Sequence, residues 1–210
     1  KRKNSSKVES ALFVNLGGNI ATTKAEAIYA AGLKEEGFNI FVLLNRFSPL
    51  HWIIFKSAVN CKFIYYKPLL KKSDKNLCRL KSSELIKSIK SYKELIKYTE
   101  DGYAIGKNAL SIAVRLLKVS RINIDNKNHL KQVISSLQVS LESKLRSEKL
   151  LKKFLPDIAI FLECHYSPFG ELFDAFLNKN VDVVQWAGAP HTNTYLYKRY
   201  IKETCSEHPL

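Results

Sequence analysis

Apolar positions along this chain follow two rhythms, short unbroken runs and stripes spaced by three and four residues. The first run, residues 11–16, stops at Gly17-Gly18. A run of that length bounded by glycine reads as a buried strand and a tight turn, because glycine reaches positive φ without a Cβ penalty. Thr22 or Thr23 can cap the helix that follows. Ala25, Ile28, Tyr29, Gly32 and Leu33 recur in it at helical spacing, and Gly37 is a good stop. Residues 38–44 read as a second buried strand, a βαβ opening with a right-handed crossover expected. Pro49 starts a short helix over 50–57, and 61–66 make a third strand.

The pattern then changes. Residues 67–97 hold nine lysines and Arg79 against Asp74, Glu84 and Glu94. Leu85, Ile89, Leu95 and Ile96 still form a stripe, which predicts a loop followed by an amphipathic helix. Asp101-Gly102 breaks it, and 103–118 read as a second helix with Ile105, Leu110, Ala113, Val114 and Leu117 on its buried side. After a polar connector around 123–128, a long helix spans 129–154. Its stripe is Leu130, Val133, Ile134, Leu137, Leu141, Leu145 and Leu151. A strand at 157–162, a helix at 169–178 and a strand at 181–186 follow, then the loop Ala187-Gly-Ala-Pro-His191. The tail 193–210, rich in Tyr, Lys and Arg, reads as helical at its start.

The order β-α-β-α-β, a helical middle and a closing β-α-β predicts an α/β fold. The expectation is a Rossmann-like parallel sheet with helices on both faces and a largely helical insertion over 67–154. Residues 1–192 would form this domain. No apolar run approaches the roughly 20 residues that cross a bilayer. The chain has no Met, even at position 1, and it stops without a closing element. Both features predict a piece of a longer polypeptide.

Net charge is +15, which favours polyanionic partners such as an anionic membrane surface or phosphate-bearing substrates. No helix-turn-helix, RNP-like or finger signature accompanies the lysines, so nucleic acid is not an expected partner. The four cysteines, Cys61, Cys78, Cys164 and Cys205, are scattered. They form no C-x-x-C pair, which argues against a zinc knuckle and fits a reducing cytoplasm.

The most informative stretch is the apolar run 158–162, which ends in Glu163, Cys164 and His165 before Ser167-Pro168. Ligands of open parallel sheets bind beyond the carboxyl ends of strands, so Glu163 and His165 are candidate bases. Adjacent residues on a strand point to opposite faces, which argues against a Cys164–His165 nucleophile pair. Asp101 is a third candidate acid or base, with helix capping as its plainer role. His191 follows the other late strand. The loop Gly17-Gly18-Asn19 can present backbone N–H groups at a helix N-terminus. It lacks the lysine that a phosphate-binding P-loop places directly before Ser or Thr, and the third glycine of the dinucleotide fingerprint.

Four segments together resemble the N-terminal half of bacterial GT-B glycosyltransferases that build cell-surface or capsular polysaccharide. They are the opening strand, Gly-Gly loop and helix; Asp101-Gly-Tyr-Ala-Ile-Gly106 leading a helix; Leu155-Pro-Asp157 before a strand; and Phe169-Gly-Glu-Leu-Phe-Asp174 feeding Val181-Asp-Val-Val-Gln-Trp186. The resemblance implies a nucleotide-sugar donor, a glycan or lipid-linked acceptor, and direct displacement at the anomeric carbon. Glu163 would be the base, with His165 second. Gly17, Gly18 and Asn19 would line the acceptor side, and His191 would contact acceptor or donor phosphate. It further implies no metal, no resident cofactor, and a second domain for which 193–210 begin the linker. The place of action would be cytoplasmic, peripheral at the inner face of the membrane. Two alternatives stay open. One is another sugar-nucleotide enzyme of this fold, such as an epimerase. The other is a basic nucleic-acid- or membrane-binding module without catalysis.

Overall fold

The computed structural model describes residues 8–89, 91–123, 125–188 and 194–201. Its strands are β1 (Ser10–Asn15), β2 (Asn39–Leu44), β3 (Cys61–Tyr65), β4 (Ile158–Phe161), β5 (Asp182–Gly188) and β6 (Tyr195–Tyr200). Its α-helices are α1 (Ile20–Glu35), α2 (Pro49–Ala58), α3 (Lys72–Ser88), α4 (Tyr92–Lys97), α5 (Ile105–Leu117), α6 (Lys127–Lys153) and α7 (Phe169–Leu177). The strands form one sheet in the order β3-β2-β1-β4-β5-β6. All neighbours are parallel except β5 and β6. The α/β, Rossmann-like class expected from the apolar runs is the one observed.

The chain divides into two compact units. The sheet unit comprises 1–67, 154–162 and 180–210. The helical unit comprises 68–153 and 163–179.

In the sheet unit, strand alternation sends Ala11 and Phe13 of β1, Ile40, Val42 and Leu44 of β2, and Ile160 of β4 into one apolar cluster. Ala27 and Ala30 of α1, Phe55 of α2 and Trp186 of β5 join it. Phe55 is fully buried, and its ring lies 6.4 Å from that of Phe13 and 6.3 Å from that of Phe63. At the start of the sheet the Ser10 amide and hydroxyl both donate to Asp157 Oδ2 at 2.8 Å, tying β1 to the segment that leads into β4.

Three local expectations are corrected. The α1 stripe is rotated: Thr23, Glu26, Ala27 and Ala30 are its buried residues, while Ile28 is 69% exposed. A carboxylate therefore sits inside where apolar spacing placed Ile28. The cap of α1 is Asn19, whose Oδ1 accepts from the Ala21 amide at 2.9 Å. Thr22 and Thr23 fall inside the first turn, and their hydroxyls donate back to Asn19 O. The tail does not start as a helix, because Tyr195–Tyr200 pair antiparallel with β5. The Tyr-rich composition suits a strand, and Lys198 and Arg199 suit the edge of a sheet.

The helical unit packs α6 against α3, α5 and α7. Its core joins Leu95, Ile105, Ala109, Leu110 and Ala113 to Val133, Leu137 and Leu141 of α6. Among the described residues, the lysine-rich segment holds two α-helices, α3 and α4, rather than one. No helix among the described residues is long and apolar enough to cross a membrane.

Candidate functional site

The sheet unit carries a cleft of about 280 Å³ where β1 and β2 end, lined by Asn15, Leu16 and Gly18 from the first loop and residues 44–48 and His51 from the second. Parallel pairing puts Asn15 opposite Leu44, so both strands stop at one level and both following loops open on the same side. Gly18, at φ +71, makes the turn into α1. Ser48 and Pro49 start α2, and Pro49 at its first position leaves no amide to satisfy.

Two polar side chains are built into this cleft. Asn15 continues the face of Ala11 and Phe13, so its amide points toward α1. Its Nδ2 donates to Thr23 Oγ1 at 3.0 Å and to Glu26 Oε2 at 2.6 Å. Glu26 Oε1 lies 3.4 Å from Trp186 Nε1, which donates to it. Burial pushes the Glu26 carboxyl up to about 7, against the lowering effect of those two donors. His51 is buried on the inner side of α2, and its Nδ1 is 2.7 Å from Ser48 Oγ. A Cβ placed on Gly18 would meet His51 Nε2 at 4.0 Å, so that nitrogen faces the glycine turn. Among the described residues, Asn15 Oδ1 and His51 Nε2 are buried without a hydrogen-bond partner. Leaving a buried polar atom unpaired costs about 1–3 kcal/mol, and such atoms call for an explanation. Here both belong to residues that line one cleft.

Neither Asn15, Glu26 nor His51 stood out in the sequence. Asn15 falls within an apolar run, and Glu26 lies outside the apolar stripe of its helix. The available signal for His51 was its place three residues after the Ser48-Pro49 helix start, where a side chain returns to the cap.

The residues singled out in the sequence are distributed as follows. Gly18 lines the cleft, Gly17 has open space around it, and the Asn19 side chain is engaged in capping α1. His191 lies outside the described residues. Glu163 and His165, both half-buried, and Asp101 belong to the helical unit. Cys164 and His165 do touch, with Sγ 3.4 Å from Nε2. They lie past the end of β4, where strand alternation no longer separates neighbours. Cys164 is buried, which shields it from a substrate. Asp101 takes a left-handed conformation at φ 51 and pairs with Lys144 at 2.8 Å. That hydrogen bond lowers its pKa, making it a weaker base. The capping role falls elsewhere: the Ala104 amide at the head of α5 donates to Asp174 at 2.9 Å. No group of three or more His, Cys, Asp or Glu among the described residues could hold a metal ion.

Against known proteins, no family model and no curated protein matches this chain. Among solved structures, it is similar to a cyclodipeptide synthase (CDPS) from Fluoribacter dumoffii. The two are 10% identical with a TM-score of 0.46, over 91% of this chain and 92% of the other.

Proposed function

We propose that the sheet unit is the acceptor-binding part of a glycosyltransferase, one that moves a sugar from a nucleotide-sugar donor to an acceptor hydroxyl by direct displacement. The observation that carries this reading is His51: a buried imidazole, oriented through Nδ1 by Ser48 Oγ, with Nε2 unpartnered at the Gly18 turn. That is the arrangement of a general base, one ring nitrogen fixed by a neighbour and the other left unpaired for the proton it removes. In the reaction an acceptor hydroxyl gives its proton to His51 Nε2 as its oxygen attacks the anomeric carbon. The bond from that carbon to the phosphate oxygen breaks, and the nucleoside phosphate leaves with the electron pair. Arg46, an exposed cation among the lining residues, supplies charge for a phosphate-bearing partner.

The test is acceptor-dependent release of nucleoside phosphate from a panel of nucleotide sugars, with membrane extract as the acceptor source. Wild type would be compared with His51→Gln and Glu163→Gln. A fall of about a hundredfold or more in His51→Gln alone supports His51 as base, within the usual range for general-base catalysis. The same fall confined to Glu163→Gln moves the base there and leaves the transfer reaction standing. No release from any donor removes the proposal.

A further inference from the structure

We infer that Glu26 is a positioning residue that fixes the orientation of the Asn15 amide, so that the cleft receives ligand hydroxyl groups in preference to phosphate oxygens. This rests on the transferase reading for the identity of the ligand as an acceptor, and otherwise on a chain of hydrogen bonds whose polarity is set when Glu26 is ionised.

The Thr23 hydroxyl has a single proton, and it goes to Asn19 O at 2.7 Å. Thr23 Oγ1 can then only accept from Asn15, whose Nδ2 is 3.0 Å away. The second Nδ2 proton goes to Glu26 Oε2 at 2.6 Å. An ionised carboxylate accepts and cannot donate. With Asn15 turned over, its Oδ1 would face a carboxylate oxygen and a hydroxyl oxygen with no proton to offer. The network therefore assigns the amide, and the atom left over is Oδ1, an acceptor, which is the Asn15 atom found without a partner. Trp186 Nε1, donating to Glu26 Oε1, keeps the carboxylate turned this way.

A hydroxyl group has the proton that Oδ1 needs, and a second hydroxyl on the same ligand can donate to His51 Nε2. A phosphate monoester dianion would bring only acceptor oxygens to Oδ1. Glu26→Gln removes the constraint: glutamine can donate its own N–H to Asn15 Oδ1, which lets the Asn15 amide turn over.

The experiment uses the full chain, labelled with ¹⁵N, above pH 7 where Glu26 is ionised, and follows the Gly18 amide and the His51 ring by NMR. The probes are methyl glycosides of the common hexoses and, separately, methyl phosphate as its dianion. In wild type a glycoside should give saturable shifts at roughly tenfold lower concentration than phosphate, the equivalent of one hydrogen bond. In Glu26→Gln the glycoside should weaken by roughly tenfold and phosphate should bind no worse than in wild type, a reversal that loss of packing alone would not produce. Thr23→Ser should keep glycoside binding and Thr23→Val should weaken it, a comparison that serves if Glu26→Gln does not fold. Preference for phosphate in wild type overturns the inference, as does unchanged glycoside binding in folded Glu26→Gln. Donor turnover without glycoside preference breaks this inference alone. Glu26-dependent glycoside binding with no turnover of any donor breaks the transferase reading alone.

Discussion

The sheet unit and the helical unit both bury polar side chains, but they treat them differently. In the helical unit, α6 turns Ser136, Ser140, Ser143 and Ser147 inward, and Glu171 of α7 is fully buried. Most of these groups close on protein partners. Ser147 donates to Ser143 O at 2.8 Å, Ser167 donates to Glu171 Oε1 at 2.5 Å, and the Ser140 hydroxyl reaches both Glu171 and Ile105 O. Lys144 holds Glu100, Asp101 and Glu148 together. Asn108 Nδ2 and Glu171 Oε2 are left without a partner. In the sheet unit the buried polar groups are fewer; Tyr29 Oη is unpaired away from the cleft, while Asn15 Oδ1 and His51 Nε2 belong to residues lining an open cleft. Burial of polarity marks a binding site only where space adjoins it. Elsewhere it is small-residue and hydrogen-bond packing between helices.

Substitution of single glycines gives the sharpest contrast. A Cβ on Gly106 of α5 would lie 1.7 Å from the Leu95 carbonyl oxygen, a backbone atom that cannot step aside. Gly106→Ala should destabilise the chain by about 3 kcal/mol or more, at the upper end for overpacking, read as a lower urea midpoint. Gly17→Ala meets nothing within 4 Å and should leave the midpoint within about 0.5 kcal/mol. Equal effects would mean that the helical unit is less tightly packed than described.

Removing a ring tests the sheet unit in the same units of measurement. Phe55→Ala empties a fully buried site between α2 and the sheet and should cost about 3–5 kcal/mol by chemical denaturation. A loss below about 1 kcal/mol would show that the cleft wall collapses to fill the gap.

The buried carboxyls predict a pH dependence with a definite sign. Burial raises Glu171 and Glu26 to about 7, against their serine and amide donors, and raises Asp174 to about 6. A carboxyl with a raised folded pKa binds its proton more tightly when folded. Its contribution is complete below the unfolded value and is lost as pH rises through the folded one. Thermal stability should therefore fall between about pH 4.5 and pH 7. Glu171→Gln should flatten part of that slope without touching the cleft. A midpoint that rises across this range would show these carboxyls to be ionised and paired.

A small effect is also expected of Asp101→Asn. Its side chain is 72% exposed beside Lys144, so the shift in denaturation midpoint should be small and fade further in salt. A large loss of turnover in this variant, with stability kept, would return Asp101 to the catalytic candidates.

Periodicity was enough for the apolar strands and most helices, because runs and stripes are local and their burial is repaid wherever they pack. It was enough for the α/β class as well. It failed at Tyr195–Tyr200, where only Tyr200 is buried and the alternation that marks a half-buried strand is missing. An edge strand exists because a neighbour offers it unpaired backbone groups, which no local pattern records. The cleft was less legible still. Gly18 was visible as a turn, but Asn15, Glu26 and His51 are 11 to 36 positions apart and carry no motif.

The sequence by itself determined the alternation of strands and helices, the glycine turn after the first strand and the strongly basic charge, since each follows from residue type and spacing. Tertiary structure decided which polar side chains went inside and which were left unpaired. Asn15 is oriented by Thr23 and Glu26, Glu26 is held by Trp186 from the far end of the chain, and His51 faces Gly18 across a loop. Hydrogen-bond polarity is a property of partners in space, and those partners meet only when β1, α1, α2 and β5 have packed.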